Sequence, residues 1–248
     1  MKFETPLLSG RLVQRYKRFL ADITLDSGET ITATCPNTGS MLGLTAPGSK
    51  VWVSSSDSVT RKYPHTWELV ETDIGKGASL VGINTNHPNA LVSEAIPAGR
   101  IGELKGFGAL RREVKYGLNS RIDILLEGGP GGKSCYVEIK NVHLMRKHGL
   151  AEFPDSKTER GVKHLVELSN MVAEGHRAVM LYLVQRNDAT SFTLADAIDP
   201  AYAAAFAKAH AAGVEMLCYT CRVQPDEIAV DRRIDIAGCI AGHIAGQS

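Results

Sequence analysis

Hydrophobic and polar positions change rhythm partway along this chain. Up to about residue 85 they fall in short runs, as in strands with one covered face. Leu12 to Leu25 is a long stretch of alternating and bulky residues. Asp26-Ser27-Gly28-Glu29 reads as a turn, and Thr30 to Thr34 is β-branched enough to pair back as a hairpin. Val51-Trp52-Val53, Trp67 to Glu71 and Ser79 to Ile83 are further predicted strands. About five short strands in this length predict a small β barrel, of a kind that periodicity alone leaves open.

The next segment predicts a helix from near Pro88, since proline is tolerated in a first turn, to Pro97-Ala98-Gly99. Beyond Gly106 the predicted order is β-hairpin, long helix, strand, helix, strand, an α/β arrangement. The hairpin joins Arg121 to Leu126 with Cys135 to Lys140 across the turn Glu127 to Lys133. The long helix runs from Lys157 to Glu174. Ser156 and Glu159 have capping-box spacing, and Val162, Leu165, Val166, Ser169, Val172 and Ala173 repeat at the helical period. Arg160, Lys163, His164 and Glu167 then form an opposite polar stripe. Arg177 to Val184 is nearly all apolar and suits a sheet covered on both faces. Pro200 to Ala212 is an alanine-rich helix, and Val214 to Cys221 an apolar strand whose edge would be able to pair across a two-fold axis. The glycine- and alanine-rich tail from Gly238 is expected to fray. Two domains are expected, residues 1–85 and residues 86–248, the second including the bridging helix near 88–97.

Composition narrows the function classes. A chain of 248 residues with 44% apolar content can bury two modest cores. The formal charge of +1 weakens any reading as a massive polyanion binder and leaves room for a local basic groove. Without an apolar run of about twenty residues or a signal-peptide core at the start, a cytoplasmic protein with no membrane partner is expected. The five cysteines, an odd and low number, do not read as a disulfide framework. Cys218 and Cys221 form a lone CxxC of opposite parity along one strand, with no second pair at zinc-ribbon spacing, so buried thiols are expected.

Candidate chemistry centres on the predicted hairpin. If it is symmetric about Pro130 and Gly131, Asp123 lies opposite Glu138. Glu138 and Lys140 share a face, because side chains repeat every two residues. Hard oxygen ligands of this kind suit Mg2+ or Mn2+, and an adjacent cation can orient or deprotonate an attacking water. Two solvent-facing charges on an edge hairpin meet the same spacing. Glu113, ten positions before Asp123, would complete the carboxylate set or neutralise Arg111, Arg112 or Lys115.

An aspartate near the start of one strand followed by Glu-x-Lys in the next resembles the PD-(D/E)XK nuclease superfamily, with Ile122 where that pattern has proline. A more specific resemblance spans residue 7 to about residue 225. It is carried by Leu12-Val13-Gln14-Arg15-Tyr16-Lys17-Arg18-Phe19, Cys35-Pro36-Asn37-Thr38-Gly39-Ser40-Met41 and Arg61-Lys62-Tyr63-Pro64-His65-Thr66-Trp67. Glu113-Val114-Lys115-Tyr116-Gly117, Tyr136-Val137-Glu138-Ile139-Lys140-Asn141-Val142, Phe153-Pro154-Asp155 and Thr158-Glu159-Arg160-Gly161 continue it. The chain is similar to the sugar fermentation stimulation protein A family (SfsA), described as having a DNA-binding role. The resemblance implies a mixed α/β fold: an N-terminal OB-like small β barrel followed by a PD-(D/E)XK nuclease-like α/β domain with a central mixed sheet.

Basic residues mixed with aromatics suit a surface that neutralises phosphates and stacks bases. Arg15, Lys17 and Arg18 lie beside Tyr16 and Phe19, and Arg61 and Lys62 precede Tyr63 and Trp67. Tyr16, Phe19 and Trp67 read individually as core residues, and strand parity keeps the cations from all lining one groove. Arg160 and Lys163 are phosphate candidates from the superfamily resemblance. His87 is read as a cap or a ligand. The expected function is nucleic-acid binding, to DNA and as a second candidate RNA, with metal-dependent phosphodiester hydrolysis of weak sequence specificity. In that reading Asp123, Glu138 and Glu113 hold Mg2+ or Mn2+, and Lys140 serves the water and the transition state. The alternative is a non-catalytic DNA-binding protein with a regulatory role in sugar metabolism. A monomer or a homodimer is expected, and no organic cofactor.

Overall fold

The computed structural model describes residues 1–117 and 120–237; Cys239 and the tail expected to fray lie outside them. The first strands are β1 (Leu8–Tyr16), β2 (Leu20–Leu25), β3 (Thr30–Thr34), β4 (Lys50–Ser55), β5 (His65–Asp73) and β6 (Ala78–Gly82). β1 pairs antiparallel with β2 and β4, β2 with β3, and β4 with β5. A short parallel pairing of β3 with β5 closes the ring, and β6 is added outside on β5. Closure removes the edges that an open sheet would leave. Inside lie alternate residues of each strand, among them Leu12, Ile23, Ala33, Val51, Val53 and Trp67.

The long run Leu12 to Leu25 proves to be two strands joined at Lys17-Arg18-Phe19. Lys17 (φ 48°) and Arg18 (φ 66°) take the left-handed conformation that a tight hairpin needs. The strand parity expected for Lys17 and Arg18 therefore does not apply. Trp67 is fully buried as expected, whereas Tyr16 is half-buried and Phe19 is 50% exposed on the turn.

The chain then forms α1 (Pro88–Ala95), β7 (Ala109–Tyr116), β8 (Ser120–Glu127), β9 (Cys135–Val142), β10 (Leu144–Lys147), β11 (Leu150–Phe153) and α2 (Glu159–Ala173). It continues as β12 (Arg177–Val184), β13 (Ser191–Leu194), α3 (Pro200–Ala211), β14 (Glu215–Val223), β15 (Ile228–Arg233) and β16 (Asp235–Ile236). A mixed six-stranded sheet has the order β15-β14-β12-β9-β8-β7. A second, smaller sheet has the order β10-β11-β13-β16. α2 and α3 contribute Leu165, Leu168, Tyr202 and Phe206 to the core on one face of the main sheet. α1 covers the other face with Leu91, Val92 and Ala95, joined there by Trp52 and Leu69 from the barrel. Cys218 and Cys221 fall in these two separate cores, as their parity requires, and Cys35, Cys135, Cys218 and Cys221 are buried free thiols.

Several expectations are corrected. β7 is a full strand whose residues are mostly exposed, so it lacks the apolar alternation that reveals strands. β10, β11, β13 and β16 are too short to show a period. From Tyr219 to Val223, β14 is covered by β15, so that part of the edge expected through Val214 to Cys221 is already paired. α2 is capped by Thr158, whose side chain accepts from Gly161 N at 3.0 Å, not by Ser156. A Cβ on Gly161 would lie 2.9 Å from both Thr158 and Tyr202, so glycine lets the helix start approach α3. The polar stripe of α2 is also split: His164 and Glu167 are buried, while Val166 is 54% exposed.

The barrel is tied to the second unit by polar contacts. Asp155 accepts from Met41 N at 3.1 Å and Ser40 Oγ at 3.2 Å, and pairs with His143 Nε2 at 3.3 Å. Gly82 N donates to Gln185 O at 2.9 Å. A Cβ on Gly39 would lie 2.7 Å from the Asp155 carboxylate, so this seam needs glycine.

Candidate functional site

β8 and β9 pair through Ile124–Val137, Leu125–Tyr136 and Leu126–Cys135. One step further, the same register sets Asp123 opposite Glu138, as the symmetric turn predicts, and there the ladder stops. Asp123 Oδ2 instead accepts the free amide of Ile139 at 2.8 Å. β9 runs on beside β12, pairing Glu138 with Met180 and Lys140 with Tyr182. The sheet thus forks where the two carboxylates sit.

Across β7, Arg112 pairs with Ile124 and Val114 with Ile122, which sets Glu113 opposite Asp123. Glu113 has φ 55°, a conformation that costs a non-glycine residue about 1–3 kcal/mol and persists where its surroundings enforce it. Its side chain meets Asp123 through Asn89 at the start of α1. Asn89 Nδ2 donates to Glu113 Oε1 at 2.8 Å and to Asp123 Oδ1 at 2.9 Å.

Glu138 is 2% exposed. Its Oε1 accepts from Lys140 Nζ at 2.8 Å and is hydrogen-bonded to His164 Nδ1. Arg160 Nε donates to His164 Nε2 at 3.3 Å. Because a guanidinium only donates, Nε2 is the acceptor, and a neutral imidazole then carries its proton on Nδ1, towards Glu138. Glu138 Oε2 is buried with no hydrogen-bond partner. A cavity of about 400 Å³ joins these groups, with Asn86, Arg112, Asn141 and Thr158 also on its wall. Thr85, also on its wall, ties it to the barrel by donating from Oγ1 to Pro36 O at 2.6 Å.

The two facing carboxylates are perturbed in opposite directions. Burial, and then the negative charge of Glu138, raise Asp123 above the usual carboxylate range. Burial acts on Glu138 in the same sense, but the His164 hydrogen bond and the Lys140 charge outweigh it and hold Glu138 below that range.

Among the described residues, no three His, Cys, Asp or Glu side chains converge closely enough to cage an ion as they stand. Glu113 and Asp123 are bound to the Asn89 amide, and Glu138 to Lys140 and His164. The donor set nevertheless fits a hard divalent ion. Its free groups are carboxylate oxygens, and the unpartnered Glu138 Oε2 is a buried anionic oxygen that a cation would satisfy.

Of the predicted site residues, Glu113, Asp123, Glu138, Lys140 and Arg160 meet at this one cavity. Lys163 lies on the exposed side of α2, with its Nζ 3.8 Å from Glu167. Arg15, Lys17, Arg18, Arg61 and Lys62 are all on the barrel and away from the cavity wall. Arg15 Nη2 donates to the carbonyls of Arg18, Asn37 and Gly39, and Arg18 to that of Thr38. Arg61 reaches Thr66 Oγ1, Lys62 lies over the Tyr63 ring, and Lys17 is exposed. His87 does not cap α1 with its side chain; its Nε2 pairs with Glu68 at 2.7 Å.

Asn89, Arg112 and His164 are site residues that the sequence reading did not assign. Asn89 falls inside the helix predicted from near Pro88, and its position there does not say what it faces. His164 follows Arg160 by one helical turn, which places them together but does not say what they face.

Comparison with known proteins accords with this architecture. The profile of the SfsA N-terminal OB domain matches residues 13–83, and that of the sugar fermentation stimulation protein RE domain matches residues 86–227. The sugar fermentation stimulation protein homolog of Sinorhizobium medicae is 57% identical over 228 residues, covering 92% of this chain and 93% of its own. The Brucella anthropi homolog is 54% identical over 236 residues, covering 95% and 100% respectively. Among solved structures, Pyrococcus furiosus SfsA, described in complex with Ca2+, superposes with a TM-score of 0.83 at 24% identity, over 95% of this chain and 97% of its own. It shares the fold from barrel to sheet. With both profiles spanning most of its length and relatives above half identity, the chain belongs to the sugar fermentation stimulation protein (SfsA) family.

Proposed function

We propose that this protein binds nucleic acid and hydrolyses its phosphodiester bonds with the help of a divalent ion, with weak sequence preference. The observation that carries the reading is the buried Glu138, opposite Asp123 where the sheet forks, with its Oε2 unpartnered and Lys140 on its other oxygen. Glu138, Asp123 and Glu113 would hold Mg2+ or Mn2+; the Ca2+ complex of the Pyrococcus furiosus protein is in keeping with a hard ion. Such an ion supplies Lewis-acid stabilisation of charge on a phosphoryl oxygen and a more acidic water.

The chain's own residues do the rest. Lys140, anchored on Glu138, presents positive charge beside the carboxylates, where it orients the attacking water and offsets charge developing on the phosphate. His164 holds Glu138 from behind and Arg160 in front, and Arg160 and Arg112 are the cations on the cavity wall suited to the flanking phosphates. In this reading residues 1–85 form a nucleic-acid-binding domain whose Lys17, Arg18, Arg61 and Lys62 extend the basic surface, with Arg15 bracing it and Lys163 lengthening it along α2. DNA is the first substrate candidate and RNA the second.

A binder that does not cleave is the second reading, favoured by the ties that Asn89, Lys140 and His164 make to every carboxylate of the site. The family name connects that reading with sugar use. Metal titration by calorimetry on wild type, Asp123→Ala, Glu138→Ala and Lys140→Ala, with cleavage of single- and double-stranded DNA and RNA on the same samples, separates the two. Ion binding and cleavage both lost in the carboxylate variants, with binding kept in Lys140→Ala, is the expected result. Equal ion binding in all four proteins would leave the binding-only reading.

A further inference from the structure

Asn89 uses both amide hydrogens on the carboxylates that the proposed function assigns to the ion. Nδ2 is 2.8 Å from Glu113 Oε1 and 2.9 Å from Asp123 Oδ1. Asn89 does not cap α1, whose cap residue is His87, and the Ser93 hydroxyl bonds its backbone carbonyl rather than its side chain. A neutral amide here offsets the repulsion between two like charges without contributing a charge of its own. It also occupies lone pairs that a hard cation would need. The second indication of an ion is independent of Asn89: Glu138, with a side chain 3% exposed, lines the same cavity, and its Oε2 has no partner.

We infer that Asn89 is a placeholder for the cation, a positioning residue that keeps Glu113 and Asp123 together in the free protein and releases them when the ion arrives. The inference rests on the metal reading above and adds a direction to it. Hydrogen bonds made only in the free state lower the apparent affinity for the ion by the stability they give that state. Removing them should therefore tighten ion binding, the opposite of deleting a ligand. Asn89 stands on the second residue of α1, the helix that follows the barrel junction and covers one sheet face. Its release would make that helix start sense whether the site is filled.

The test is calorimetric titration of Mn2+ and Ca2+ into wild type, Asn89→Ala, Asn89→Ser and Asp123→Ala, without nucleic acid and with folding checked by circular dichroism. Asn89→Ala should bind about tenfold more tightly, the effect of losing net hydrogen-bond stabilisation in the free state alone, and Asp123→Ala should lose binding. Asn89→Ser, with a donor too short to reach both carboxylates, should follow Asn89→Ala and gives the same readout if the alanine variant does not fold. Binding that appears only in the Asn89 variants supports the placeholder as well. Binding equal to or weaker than wild type in the Asn89 variants, while Asp123→Ala abolishes it, would overturn the placeholder and leave the metal reading standing. No binding in any protein would overturn both.

Discussion

Arg15 in the barrel and Glu138 in the forked sheet are both charged side chains drawn into the protein, but their charges are used differently. Arg15 Nη2 is taken up by three backbone carbonyls, those of Arg18, Asn37 and Gly39, which it holds into one turn structure. Glu138 is surrounded by Lys140 and His164 on one oxygen only and keeps Oε2 without a partner. Each side chain leaves one buried polar atom without a partner, Arg15 Nε and Glu138 Oε2, at a cost of about 1–3 kcal/mol, but only Glu138 is an anion on the wall of the cavity. Arg15 stands in a basic cluster with Lys17 and Arg18, and Glu138 in a Glu-x-Lys pair with Lys140, so both look functional along the chain. Their surroundings tell them apart: Arg15 ties backbone carbonyls of the barrel together, whereas Glu138 borders the cavity beside Asp123 and Lys140.

The sharpest way to break this contrast is activity. Replacing Asp123 or Glu138 by alanine should lower ion-dependent cleavage by about 10³-fold, while Arg15→Ala, in protein that remains folded, should change it by less than about tenfold. Parallel cleavage time courses check this, and equal losses would end the distinction. Stability should then reverse the order within the barrel. Arg15→Ala frees three carbonyls and should cost about 1.5–3 kcal/mol in urea unfolding, whereas Lys17→Ala, on an exposed turn, should stay within about 0.5 kcal/mol.

The pH dependence sharpens the contrast inside the site itself. Glu138 has a lowered folded-state pKa, so it contributes stability above its unfolded pKa and loses that contribution as pH falls through the folded value. Asp123 has a raised one, so its ionisation opposes folding at neutral pH, and the penalty fades as pH falls from the folded value to the unfolded one. Glu138→Gln should accordingly cost about 2–3 kcal/mol at neutral pH and progressively less in acid. Asp123→Asn should be neutral to stabilising at pH 7, with any gain vanishing in acid. Urea melts across pH 3 to 8 read both slopes, and slopes of the same sign would contradict the assignment.

The smallest effect concerns the exposed cations. Arg160→Ala and Lys163→Ala should each weaken DNA binding a few-fold and lower the slope of log affinity against log salt by about 1. Fluorescence anisotropy over a salt series measures it. A variant that altered the preference among sequences instead would mean that these residues read bases.

Much of the architecture was legible along the chain because it depends on local periods. The β-branched run Thr30–Thr34 and the apolar run Arg177–Val184 are strands with the bounds expected. The two-residue repeat and the symmetric turn placed Asp123 opposite Glu138, and three-residue spacing placed Cys218 and Cys221 in separate cores. β7 was not legible, because a strand with mostly exposed residues has no apolar alternation to reveal it. Nor was the split of α2, where a buried His164 and an exposed Val166 invert what helical amphipathicity implies.

By itself, then, the sequence determined which segments extend, which coil, and that an aspartate and a glutamate face each other beside a lysine. Only the tertiary structure decided what those carboxylates touch. Asn89 reaches Asp123 across 34 positions and His164 reaches Glu138 across 26, and Glu113 comes to the site through a left-handed backbone angle. Side-chain period acts over a few residues and is written in their order. Partners this far apart meet only where helices and sheet pack, and that packing is settled by the shape of the whole core.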